Sequence, residues 1–256
     1  LMPPRPATVT AGPQSMAPFD PGTCTVESTS FVRSVISVGS QENVEYQQPR
    51  NYHLAFSAVV LCGMLNNFSY CVISGASQDI ARQFHAEDQT TILTSVMNVS
   101  ALAATVISTR ILVRFRFYTR IRLVLCMGAV SYAGVALATT MTDKAGFWIA
   151  AALSCLSGMA QIFGEVTNLS FLKSFPPQLV GGWGAGTGLA GIFGSLGYIF
   201  LRGPLGLSTS WVFALCVPLC LIYWAAFQYL HREATSGIEG RRLARALGGI
   251  PPPPPQ

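Results

Sequence analysis

Six stretches of about 20 predominantly apolar residues follow one another along this chain, at 54–75, 92–113, 123–141, 146–172, 179–201 and 211–230. At a helical rise of about 1.5 Å per residue, each can cross a hydrocarbon layer of roughly 30 Å. Short polar connections join them, and none carries a polar face that water would cover. The predicted fold class is therefore an all-α integral membrane protein with six transmembrane helices. Composition agrees: half of the 256 residues are hydrophobic and 11% are charged, which excludes one or two ordinary soluble domains.

The net charge of +5 is sorted along the chain rather than spread over it. Arg5, Arg33, Arg50, Arg110, Arg114, Arg116, Arg120, Arg122, Lys173, Arg232, Arg241, Arg242 and Arg245 fall on one side of the predicted spans, and Arg82, Lys144 and Arg202 on the other. The positive-inside rule then places both tails in the cytoplasm and implies a lipid bilayer, not nucleic acid, as partner. Residues 1–50, rich in Pro, Ser, Thr and Gln, are predicted to be a disordered cytoplasmic tail, 51–231 a six-helix transmembrane domain, and 232–256 a basic then proline-rich cytoplasmic tail. No basic start, apolar core and cleavage site precede the first span, which is expected to act as the insertion signal. The chain opens on Leu1, as an incomplete gene product would.

Cys62, Cys71, Cys126, Cys155, Cys216 and Cys220 fall in spans and Cys24 in a tail, without metal or redox spacing, so they read as small packing residues. The Asn-x-Ser sequons at Asn67, Asn98 and Asn168 all lie inside spans. Glycosyltransferase cannot reach them there, and glycosidase treatment of the mature protein is expected to leave its mass unchanged.

Polar groups inside a span mark the face turned away from lipid. In span four Ser154, Ser157, Gln161, Glu165 and Asn168 recur at steps of three, four, four and three, which puts them on one helical face. A hydrated cavity with Glu165 as its ionisable centre fits this stripe, able to bind a cation, carry a proton or hold a solute's amine or hydroxyl. A neutral Glu165 bonded to a neighbouring helix is the plainer role. Span two repeats the pattern with Thr91, Thr94, Asn98 and Thr105, and span one places Asn66 and Asn67 near mid-membrane, with Tyr70 and Ser74 continuing the face of Asn67. Cavity lining and interhelical glue both fit these amides. Span five carries Gly184, Gly186, Gly188 and Gly191 among eight glycines, including the GxxxG pair Gly184 and Gly188, and is expected to pack closely or to flex.

Enzyme readings find no support. His53, His85 and His231 sit outside spans or at their edges, and no span holds paired aspartates, so no catalytic residue, metal site or cofactor is assigned. The arginines after span two do not step by three as a voltage sensor requires.

Three segments resemble the battenin family: Leu65, Asn66, Asn67, Phe68, Ser69 and Tyr70 running on to Gln78, Asp79 and Ile80; Gly164 through Ser170 around Glu165; and Trp183 through Gly191, where Gly184 and Ala185 stand for the family's small serines. They occur in the expected order over about 61–201. The resemblance implies a fold similar to one half of a major facilitator-type transporter, located in a lysosomal or vacuolar membrane. It links the chain to lysosomal pH balance, export of basic amino acids and clearance of glycerophosphodiesters. The family's second six-span half is missing, so a second half, a second copy or a fragmentary gene product is expected. A transporter of a small polar or charged solute, with or without protons, is the first functional expectation, and a non-transporting regulator or scaffold the second.

Overall fold

The computed structural model describes residues 49–110 and 112–246, the side chains at 109, 113 and 237–246 excepted. The expectations for the tails at 1–48 and 247–256 lie outside the described residues. The helices are α1 (Tyr52–Gln83), α2 (Thr90–Arg110), α3 (Phe117–Ala138), α4 (Lys144–Leu172), α5 (Gln178–Arg202), α6 (Thr209–Cys216) and α7 (Leu219–Ala246), with short 3-10 turns at Glu87–Gln89 and Leu112–Arg114. There is no strand among the described residues. Six helical segments are long and apolar enough to cross a membrane, as the apolar runs predict.

The helix ends differ from the predicted spans where a polar side chain finds a partner. α1 begins with Asn51 as cap, its side chain accepting from the Leu54 N–H at 3.1 Å, and runs well past residue 75. Its polar last turns stay helical because they bond to other helices: the Tyr198 hydroxyl donates to Asp79 at 2.9 Å, and Gln83 Nε2 donates to the Thr139 carbonyl. α3 begins six residues before 123, the predicted start. Arg120 is accommodated in its first turns because Nε donates to the Phe115 carbonyl at 2.7 Å and the guanidinium sits 5.0 Å from the Phe117 ring. The sixth span is two helices. Pro218, which lacks an N–H, interrupts the ladder and starts α7, its carbonyl accepting from Leu221 and Ile222. α7 then continues through 232–246, which the sequence places in a tail.

α1 lies along α5 and also touches α2, α4 and α7, while α4 lies along α2 and α3, and α3 meets α6. Two apolar clusters fill the bundle. One gathers Leu65, Val124, Phe163, Phe171, Phe175, Trp183 and Phe227, and the other Val72, Ile80, Phe84, Leu93, Phe147 and Phe213. Between them, at residues 66–69 of α1 and 154–161 of α4, the interior is polar. α2 and α5 are the least buried spans, with Val99, Leu102 and Val106 of α2 and Ile192, Phe193 and Leu196 of α5 exposed.

Candidate functional site

The polar layer is built from two helix faces that the sequence spacing sets up separately. On α4, steps of three and four stack Ser154, Ser157, Gln161, Glu165 and Asn168. On α1, consecutive residues diverge by about 100°, so Asn66 and Asn67 address different neighbours.

Asn66, 4% exposed, faces α4 and α7: Nδ2 donates to the Gln161 carbonyl at 2.9 Å, and Oδ1 accepts from the Tyr223 hydroxyl at 3.2 Å. Asn168, 2% exposed, donates through Nδ2 to the same Tyr223 oxygen and to the Gly164 carbonyl, both at 2.7 Å. Gly164 makes this approach possible, because a Cβ there would meet the Asn66 amide oxygen. Asn67, 6% exposed, faces α4 and α5. Its Oδ1 accepts from Gln161 Nε2 at 2.6 Å, and its Nδ2 donates to Thr187 Oγ1 at 3.3 Å and the Gly63 carbonyl at 3.2 Å. Ser157 Oγ donates to Ser69 Oγ at 2.8 Å.

Asn66, Asn67 and Asn168 thus connect neighbouring helices, each with its amide bonded to a partner. Bonds of this kind contribute on the order of 0.6–2 kcal/mol each. The space beside Asn66, Ser69, Tyr132 and Tyr223 is about 30 Å³, room for about one water molecule. Glu165 differs. It lies one helical turn beyond Gln161 on α4, half-buried, and its carboxyl has no hydrogen bond or ion pair among the described residues. Gln161 is half-buried as well, so the two mark where the polar layer reaches the surface of the bundle.

The other predicted site residues are not gathered into this layer. Asn98 sits on the exposed side of α2, with Thr91 and Thr105. Gly186 forms the close contact with α1, where a Cβ would run into the Val60 carbonyl oxygen. Gly184, Gly188 and Gly191 meet no neighbour among the described residues of this chain. They lie on the opposite, exposed side of α5, where an added Cβ would meet nothing within 4 Å. The packed face of α5 is instead Gly182, Gly186, Ala190 and Gly194. Sequence reasoning missed Tyr223 and Thr187. Tyr223 carried one usable signal, because a tyrosine far inside a span, away from the interfacial belt, needs a partner for its hydroxyl.

The profile of the family described as CLN3 protein matches residues 57–245. The protein named Battenin from Dictyostelium discoideum is 34% identical over 165 residues, covering 64% of this chain and 38% of that protein. Protein BTN1 of Debaryomyces hansenii is 26% identical over 190 residues, 72% of this chain and 43% of the relative. Protein btn1 of Schizosaccharomyces pombe is 24% identical over 180 residues, with 69% and 43% covered. The chain therefore spans less than half the length of these curated relatives. No solved structure matches it.

Proposed function

Because the chain belongs to the CLN3 (battenin) protein family, we propose that it is a transporter-like component of the lysosomal or vacuolar membrane, moving a small polar or charged solute with Glu165 as its ionisable group. The observation that carries this reading is the half-buried, unpartnered carboxyl of Glu165 beside a polar layer whose amides are already satisfied. A carboxyl in mid-span costs roughly 2.5–3.5 kcal/mol, and such groups typically bind an ion, a proton or a solute.

Two features of the packing support the transporter class. Exchanging the first span with the fourth, the second with the fifth and the third with the sixth turns the α1–α5 pair into α4–α2, and the α3–α4 pair into the sixth span with α1. That is the pattern of an inverted three-helix repeat. The spans left least buried, α2 and α5, are counterparts under the same exchange. On this reading a second six-helix half, or a second copy, covers the side carrying Asn98 and Gly184, Gly188 and Gly191, and completes a cavity reached by Glu165 and Gln161. Basic amino acids and glycerophosphodiesters are the proposed solutes, with an effect on organelle pH. Both tails are cytoplasmic, and no catalytic residue or cofactor is involved.

A non-transporting regulator is favoured by one observation, that Asn66, Asn67 and Asn168 are consumed in helix-to-helix bonds. Glu165→Gln separates the two. In vacuolar vesicles from cells expressing the chain, the variant is expected to lower uptake of labelled arginine, or of a labelled glycerophosphodiester, about tenfold under an imposed pH gradient, the equivalent of about 1.4 kcal/mol. Its abundance and melting temperature are expected to stay at the wild-type value. Equal flux in variant and wild type refutes the role of Glu165, and a complete lack of flux attributable to the chain favours the regulator.

A further inference from the structure

The end of the bundle that gathers Arg110, Arg114, Arg116, Arg122, Lys173 and Arg232 contains a cavity of about 670 Å³ between the start of α3 and α7. Arg116, Phe117, Tyr118, Thr119, Arg122 and His231 line it. We propose that this cavity holds the phosphate headgroup of an anionic lipid, with Arg116 and Arg122 as its cationic contacts and Tyr118 and His231 as its floor.

The charge is unbalanced and available. Among the described residues Asp79 pairs with Arg202, at 3.7 Å, and neither Arg116 nor Arg122 takes part in an ion pair. No carboxylate lines the cavity. Arg122 Nε donates to the Tyr118 carbonyl at 3.3 Å, which fixes its stem and leaves the two terminal nitrogens for a ligand. Guanidinium groups bind phosphate oxygens through paired N–H donors, the strongest of the charge-assisted contacts.

The floor is held in place. The Tyr118 hydroxyl lies 3.0 Å from both Gln228 Oε1 and His231 Nδ1. The His231 ring is parallel to Phe171 with centroids 6.1 Å apart, and Trp224 stands 6.0 Å from Tyr118. The hydroxyl of Thr119 and the imidazole of His231 add polar contacts beside the two guanidinium groups.

A lipid, rather than a free phosphate, is the occupant because exposed Phe115, in the turn before α3, and exposed Leu123, next to Arg122 on α3, flank the lining residues in the chain. Those side chains provide apolar surface for an acyl chain, which a soluble anion would not use. The positive-inside rule expects this end at the cytoplasmic leaflet, where anionic headgroups are concentrated and each nearby arginine contributes about 1 kcal/mol of attraction.

The test uses the full chain in neutral detergent, melted with a thiol-reactive dye that reports the buried cysteines. Dioctanoyl phosphatidylinositol phosphate, at about ten times its dissociation constant, is expected to raise the melting temperature by about 3–5 °C. Dioctanoyl phosphatidylcholine and soluble inositol phosphate are expected to leave it unchanged. The Arg116→Gln/Arg122→Gln double variant should lose the shift, while Arg202→Gln, at the opposite end, should keep it. Equal stabilisation by inositol phosphate overturns the lipid assignment in favour of a free anion. Equal stabilisation by phosphatidylcholine, no stabilisation at all, or a shift retained by the double variant overturns the site. Native mass spectrometry of the wild-type chain from mixed nanodiscs decides the matter if the double variant does not fold. Retention of the phosphoinositide over phosphatidylcholine supports the pocket, and equal retention rejects it.

Discussion

Gly186→Ala is expected to destabilise the bundle by about 3 kcal/mol, the upper end of the range for overpacking. Gly188→Ala, two residues further along the same helix, is expected to be neutral or stabilising by up to about 1 kcal/mol through helix propensity. At Gly186 a methyl group would run into the Val60 carbonyl oxygen and stand 2.9 Å from the Met64 backbone nitrogen. Neither atom is the end of a flexible side chain, so α1 and α5 would have to separate. The reciprocal contact is as tight, since a Cβ on Gly63 would lie 2.5 Å from the Trp183 carbonyl oxygen. Separation would also strip the Asn67 bond to Thr187 and the Tyr198 bond to Asp79, which join the same two helices. At Gly188 nothing stands within 4 Å. The check is a thermal melt of the full chain followed through the thiol of Cys62, which is 1% exposed. A Gly186→Ala protein that melts with the wild type would show that the two helices do not meet there. A Gly188→Ala protein that falls with it would show that the open face is covered, for example by a second copy.

Asn66→Asp is expected to cost a comparable amount, about 3 kcal/mol, the order found for an acidic side chain at the centre of a transmembrane helix. The substitution preserves shape and removes one donor. The group that gives a hydrogen to the Gln161 carbonyl at 2.9 Å becomes an oxygen facing an oxygen, at a position 4% exposed. The Tyr223 hydroxyl can still donate to the other carboxylate oxygen, so the loss is concentrated on the α1–α4 contact. The expected readout is reduced accumulation of folded protein together with a lowered melting temperature. Unchanged stability would mean that water or another helix reaches Asn66, and the tightly packed account of this layer would then fail.

These two predictions fall at positions whose chemistry the sequence displayed but whose partners it concealed. Adjacent asparagines in mid-span were legible as a demand for partners, because an unsatisfied amide in hydrocarbon is costly. Which helices answer them was not legible, since the α4 stripe spacing is compatible with either a cavity or a helix contact. The glycines of α5 were legible as small-residue surface with a GxxxG pair at Gly184 and Gly188, and their spacing did not show that the face carrying Gly186 is the one that meets α1. Asn98 shows the limit most plainly. It has the same residue type and a similar polar stripe as its counterparts on α1 and α4, yet it lies on the outside of this bundle.

The apolar runs determined that there are six spans and roughly where they lie, because transfer into hydrocarbon is a property of each stretch taken alone. The charges flanking them determined the expected sidedness in the same additive way. The tertiary structure decided the break at Pro218, the extension of α1 to Gln83, the face of α5 that packs, and the separation of Glu165 from the satisfied amides around it. Each of these depends on a neighbour's shape and on donors and acceptors that arrive from distant parts of the chain. No sum over one helix's own residues contains them.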